Sequence, residues 1–189
     1  MIHFEGLVAA GFTPMDKLGN LRLDIIPAIV EHLIGDGIKG IYVCGSTGEG
    51  PSLSGQERKK VAEAYTKAAG GRIPIIVQVG HDSLTEARDL ARHAWTIGAN
   101  AISAVAPHYY KLDSVDTLVD CLVEIGSAVP QIPLFYYHIP ALSGIALPMR
   151  EFIDAACEHV PNFAGIKYSA ATIYDYQDCL DYAQGRCQI

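Results

Sequence analysis

Three short stretches carry residue types that can do covalent or proton-transfer chemistry. Phe163-Ala-Gly-Ile-Lys-Tyr168 places Lys167 in a run that otherwise reads as a buried strand. A lysine there loses hydration, which disfavours the ammonium and frees the amine to form a Schiff base with a ketone. The plainer reading of Lys167 is a side chain just past the strand, snorkelling to water or paired with a carboxylate. Tyr136-Tyr137-His138 ends another apolar run. The Tyr137 phenol can give or take a proton at a strand end, or it can be a core tyrosine with one satisfied hydroxyl. Gly45-Ser-Thr-Gly-Glu-Gly50 has the glycine spacing of a phosphate-binding loop, but Pro51 stands where that loop needs lysine, which excludes nucleoside triphosphates. Its backbone N–H groups, that of Gly48 among them, and the Ser46 and Thr47 hydroxyls can still hold a carboxylate. The stretch can equally be a turn that only reverses the chain.

Other chemistries find little support. The seven histidines are scattered with no His-x-x-x-His pair, so a zinc-type site is not expected. Ser46 lacks the Gly-x-Ser-x-Gly elbow of a hydrolytic nucleophile. Five cysteines with no Cys-x-x-Cys pair suit neither a disulfide framework nor a structural zinc site.

The elements that must position these residues follow from hydrophobic periodicity. Short apolar runs at Phe4–Gly11, Ile38–Cys44, Ile73–Val79, Ala101–Ala106, Pro133–His138 and Ala164–Tyr168 alternate with amphipathic segments. Helices are expected at Asp24–Ile34, from a capping box at Ser54/Glu57 to Ala69, from Ser83/Glu86 to Gly98, at Val115–Gly126, after Pro148, and at Ile173–Ala183. Cys187-Gln188-Ile189 reads as the start of a seventh strand. Strict βα alternation leaves a doubly wound sheet or a (β/α)8 barrel. The first βα turn lacks Gly-x-Gly-x-x-Gly, which favours the barrel. The barrel needs eight units and typically about 250 residues. The expected fold is therefore α/β, a single (β/α)8 TIM-barrel domain over 1–189, truncated after about six βα units. In the barrel reading, catalytic groups sit at the C-terminal strand ends, which selects Gly45–Glu49, His108-Tyr-Tyr110, Tyr136–His138 and Lys167-Tyr-Ser169.

Half of the 189 residues are apolar and 19% are charged, enough for a solid core. A net charge of −7 argues against nucleic-acid and anionic-membrane surfaces. No apolar stretch approaches the roughly 18 residues of a membrane span, and the N-terminus lacks the basic flank of a secretory signal. A soluble, reduced, cytoplasmic protein is expected.

Taken together, Gly45–Gly50 after strand two, Tyr137-His-Ile-Pro-Ala-Leu-Ser-Gly144 after strand five and Gly165-Ile-Lys167 in strand six resemble the N-acetylneuraminate lyase family. That family lies within the larger group that includes dihydrodipicolinate synthase. The synthases usually carry an arginine five positions after the tyrosine. Here that position is Leu142, within Ile139–Ser143, which looks like the lyase version, and His138 looks like its animal-type branch. The resemblance implies a class I aldolase that cleaves N-acetylneuraminate reversibly to N-acetylmannosamine and pyruvate, with no metal or dissociable cofactor. It implies Lys167 as the imine-forming lysine and Tyr137 as the proton carrier. Ser46, Thr47 and Gly48 would hold the pyruvyl carboxylate, and Ser169 and Tyr110 are further substrate contacts. It also implies a homo-oligomer, the tetramer common in the family. Another pyruvate-dependent aldolase or synthase of the group, such as a 2-keto-3-deoxy acid aldolase or a dihydrodipicolinate synthase-like enzyme, and a catalytically silent ligand-binding relative are the alternatives. An unclosed barrel exposes a strand edge, so these 189 residues alone are expected to be unstable or to oligomerise through it.

Overall fold

The structure, a computed structural model, describes residues 3–189. Six strands, β1 (Val8–Ala10), β2 (Gly40–Val43), β3 (Ile75–Gln78), β4 (Ala101–Ala104), β5 (Leu134–His138) and β6 (Phe163–Tyr168), alternate with helices. These are α1 (Ile26–Gly35), α2 (Gly55–Ala69), α3 (Leu84–Thr96), α4 (Val115–Ser127), α5 (Pro140–Ser143), α6 (Met149–His159) and α7 (Ile173–Ala183). The strands are parallel, in the order β1-β2-β3-β4-β5-β6. Each unit adds its strand beside the previous one. A doubly wound sheet would reverse that order part-way, so the topology is that of a truncated (β/α)8 barrel.

Where the sequence suggests the start of a seventh strand, Gln188 forms a single isolated parallel bridge to Gly165. The Ile166 N–H donates to the Gln188 carbonyl at 2.8 Å, and the Gln188 N–H donates to the Ala164 carbonyl at 2.9 Å. Gly165 makes this approach possible, because a Cβ there would lie 2.0 Å from the Gln188 oxygen.

The chain divides into two compact units, residues 3–78 with 92–102 and residues 79–91 with 103–189. The first holds β1, β2 and β3 with α1 and α2. Every residue of β2 and β3 is buried, as expected of parallel strands covered on both faces. The α2 start is fixed locally: the Glu57 N–H donates to Ser54 Oγ at 3.3 Å, while the Ser54 N–H donates to Glu57 Oε2 at 2.9 Å. From α2, fully buried Tyr65 reaches back to donate its hydroxyl to the Phe12 carbonyl at 2.6 Å.

The second unit holds β5 and β6 with α4 to α7. Its core runs through aromatic pairs, Tyr136 on Phe152 at 4.8 Å and Phe152 on Phe163 at 5.7 Å. Asn162 ties the turn before β6 to the one before β5, donating to the Val129 and Ile132 carbonyls at 3.2 and 2.6 Å.

Several boundaries differ from those the periodicity suggests. β1 covers only Val8–Ala10 of the expected Phe4–Gly11, because its ladder with β2 holds just three residue pairs. The expected Asp24–Ile34 helix opens as a 3-10 turn over Leu23–Ile25, and the α-helix starts only at Ile26, with a proline in its first turn. Pro148 sits one residue earlier than expected, as the extended N-cap of α6 rather than inside its first turn. The four-residue α5 was not foreseen; it is too short to show a period.

Candidate active site

Strand alternation places the reactive side chains. Tyr137 and Lys167 are direct partners across the β5–β6 ladder, so both leave the sheet on the same face. Tyr136, His138, Ile166 and Tyr168 leave on the other face, where Tyr136 packs against α6. Lys167 Nζ lies 3.6 Å from the centre of the Tyr137 ring. It also donates a hydrogen bond to Ser169 Oγ at 3.0 Å. Ser169 is itself anchored, its N–H donating to the His138 carbonyl at 2.8 Å. Tyr137 is buried and Lys167 half-buried. A primary amine held between an aromatic face and a hydroxyl is an oriented nucleophile for a carbonyl carbon.

Tyr110 lies in this same unit but on its surface. It is 83% exposed, with its ring edge-on to Tyr109 at 5.0 Å. The turn carrying both tyrosines is pinned by Asp82, whose carboxylate accepts from the His108 and Tyr109 N–H groups at 2.6 and 3.0 Å. Burial raises the Asp82 pKa, but those two hydrogen bonds and the nearby His108 outweigh it, leaving the carboxyl below its ordinary value. Lys111 closes the turn from below, donating to the His108 and Ser143 carbonyls at 2.6 and 2.7 Å.

Ser46, Thr47 and Gly48 belong to the other unit, in the turn after β2. Ser46 and Thr47 are exposed and Gly48 is buried. The turn is unusually tight. Cys44 and Glu49 both sit in left-handed backbone, at φ 58° and 53°. The Gly50 N–H donates to the Gly45 carbonyl at 3.0 Å, and a Cβ on Gly50 would lie 1.8 Å from the Cys44 oxygen. Thr13, buried under the turn, donates its hydroxyl to the Gly48 carbonyl at 2.6 Å. Burial pushes the neighbouring Cys44 thiol up to about 11, so it is a packed thiol and not a nucleophile.

Arg58 supports the same turn from α2. It is 3% exposed, and one terminal nitrogen donates to both the carbonyl and the side-chain oxygen of Gln78, each at 2.7 Å. Burial lowers its pKa, opposed by Cys44 and Tyr42. The Cys44 thiol in turn donates to the Arg58 carbonyl at 3.6 Å.

Thr13, Arg58 and Asp82 escaped the sequence reading. Each acts on a partner at least 20 residues away, and no local pattern marks such a contact. The one available signal was Arg58 on the apolar stripe of α2 with Val61, Ala62 and Tyr65.

The match to the dihydrodipicolinate synthetase family model runs over residues 3–189. The chain belongs to that family. Among family members, it is 41% identical over 179 residues to the N-acetylneuraminate lyase of Gallus gallus, covering 94% of this chain and 58% of the relative. The solved N-acetylneuraminate lyase of Aliivibrio salmonicida superposes with a TM-score of 0.95 at 40% identity, covering 100% of this chain and 62% of that one. A Ruminococcus gnavus sialic acid aldolase, solved as a catalytic lysine mutant, superposes at 0.91 with 29% identity, covering 97% of this chain and 59% of its own. The chain thus spans less than two thirds of the length of each of these family members. Among the described residues, no group of three or more histidine, cysteine or acidic side chains is arranged to hold a metal ion. Among the described residues, no helix is long and apolar enough to cross a membrane.

Proposed function

We propose that this protein is a class I aldolase that cleaves N-acetylneuraminate reversibly to N-acetylmannosamine and pyruvate. The observation that carries this reading is the Lys167–Tyr137 pair, an amine 3.6 Å from a tyrosine ring at the C-terminal strand ends. Its support among relatives is that the lyases above share about 40% identity with the chain, and that one aldolase of this fold is described by its catalytic lysine.

In this reading Lys167 adds to the keto carbon of the open-chain sugar and loses water to form an imine. The protonated imine accepts the electron pair of the C3–C4 bond as the C4 hydroxyl gives up its proton, releasing N-acetylmannosamine as the aldehyde. Tyr137 carries that proton together with the substrate carboxylate. Protonation of the enamine and hydrolysis then release pyruvate and restore the amine. Ser46, Thr47 and Gly48 take the carboxylate-holding role that the family resemblance gives them, and Ser169 and Tyr110 contact substrate. No dissociable cofactor enters. A cytoplasmic homotetramer without nucleic-acid or membrane partners completes the reading.

Borohydride reduction in the presence of pyruvate, followed by peptide mass mapping, tests it. A reduced pyruvyl adduct on Lys167 is expected. No adduct on the folded protein would favour a catalytically silent relative. An adduct without turnover of N-acetylneuraminate, but with turnover of a 2-keto-3-deoxy acid, would move the assignment to another pyruvate aldolase.

A further inference from the structure

The second unit carries two thiols that the proposed reaction does not use. Cys157 is exposed on α6, and Cys187 is buried in the segment that follows α7. Both are free, and the Cys187 thiol donates a hydrogen bond to the Cys157 sulfur. All of β6 and α7 lies between them in the chain, so only the fold brings them together.

Anchors on both sides of Cys187 hold the pair in place. On one side, Arg186 donates to Asp154 Oδ1 at 2.7 Å, and Asp154 stands about one helical turn before Cys157 on the same face of α6. The Tyr182 hydroxyl donates to that carboxylate as well. On the other side, the Gln188 backbone is fixed to β6, accepting from the Ile166 N–H at 2.8 Å and donating to the Ala164 carbonyl at 2.9 Å. The sulfurs are therefore held together by neighbours fixed independently of them, and proximity is the first demand of a disulfide. The two thiols also differ in access. Cys187 is only 7% exposed, so Cys157 is the sulfur that a dissolved oxidant meets first. Burial, and after it the charge of Cys157, holds the Cys187 thiol above its ordinary value.

We propose that Cys157 and Cys187 form a peroxide-sensitive dithiol, which closes to a disulfide joining α6 to the segment after α7. The Cys157 thiolate attacks one oxygen of a hydroperoxide, breaking the O–O bond and becoming a sulfenic acid as water or an alcohol leaves. The Cys187 sulfur then attacks the Cys157 sulfur and displaces its hydroxyl. The S–S bond forms, and the displaced hydroxide leaves as water with the Cys187 proton. The two thiols lose two electrons, and the O–O bond accepts them. Sulfenic acid formation removes the Cys157 charge that disfavours the Cys187 thiolate, so the first step promotes the second. The product is a covalent loop containing β6, which a dithiol reductant reopens.

The test exposes the reduced chain to hydrogen peroxide, folded and in urea, and maps its peptides by mass spectrometry without reduction. In the folded chain a peptide pair linked through Cys157 and Cys187 is expected, lighter than its two parts by two hydrogen atoms. It should form about tenfold or more faster than in urea, where nothing holds the sulfurs together. Dithiothreitol should reverse it. Cys157→Ser, at an exposed position of α6, should keep the melting curve of the reduced parent and lose the link. Cys179→Ala should keep the link, which separates this pair from the other buried thiol of α7. Sulfinic acid on Cys157 with no link, a Cys157 disulfide between two copies, a link from Cys179 to Cys187, or equal rates in the folded chain and in urea would each overturn the proposal.

Discussion

Lys167 Nζ stands 3.6 Å from the centre of the Tyr137 ring because the two residues face each other across the β5–β6 ladder. Neighbouring strands are held about 4.8 Å apart by backbone hydrogen bonds, so the pair is fixed by the sheet and not by a loop. In the proposed reaction, an amine carried this way would keep its aim, which is the preorganisation that covalent catalysis needs.

Lys167→Arg should retain the contact with the Tyr137 ring, because a guanidinium also stacks on aromatic faces. It cannot form an imine under these conditions. The expected result is a melting curve close to that of the parent with no pyruvyl adduct on borohydride reduction and no aldol cleavage. Cleavage persisting in this variant would remove Lys167 from the mechanism.

Tyr137→Phe keeps the ring and its packing and removes only the hydroxyl. Imine trapping should survive, while kcat for N-acetylneuraminate cleavage falls by about 10²–10⁴-fold, the usual worth of a positioned proton carrier. Stopped-flow detection of imine formation, compared with steady-state turnover, separates the two steps. Equal loss in both would show that Tyr137 positions the lysine and carries no proton.

Gly50→Ala should disturb the turn bearing Ser46 and Thr47, because its Cβ would lie 1.8 Å from the Cys44 oxygen. A cost of about 2–3 kcal/mol is expected from overpacking against backbone, together with weaker pyruvate binding. Gly35→Ala is the contrasting change, since a Cβ there meets open space at the end of α1. Urea melts and pyruvate titrations of both variants check the pair.

Acid should destabilise the fold partly through His138. Burial lowers its pKa to about 4, with Asp175 opposing. A histidine whose folded pKa lies below its unfolded value binds fewer protons when folded, so stability is greatest above about 6.5 and declines as pH falls toward 4. The full shift corresponds to roughly 3 kcal/mol, and solvent screening reduces this to about 2 kcal/mol. Urea melts at pH 7.0 and 4.5 should show that difference in the parent and lose it in His138→Asn, whatever the other carboxylates contribute to both. The same pH dependence in both proteins would refute the assignment.

Much of the fold was legible because its signals are local. The capping box at Ser54 and Glu57, the apolar runs of β2 and β3, and the strict βα alternation each depend on residues a few positions apart. Lys167 inside an apolar strand and the glycines around Ser46 and Thr47 were conspicuous for the same reason. The sequence alone also set which residues share a strand face, since alternation has a period of two. Tertiary structure decided what lies opposite what. That Tyr137 meets Lys167, that Thr13 holds Gly48 across 35 residues and that Asp82 pins His108 across 26 follow from ladder register and chain return. It also decided that His138, adjacent to Tyr137 in the chain, packs on the opposite face of the sheet, against Tyr136 and Tyr168. These contacts join segments with no common period, and a one-residue slip of register would have exchanged every one of those faces.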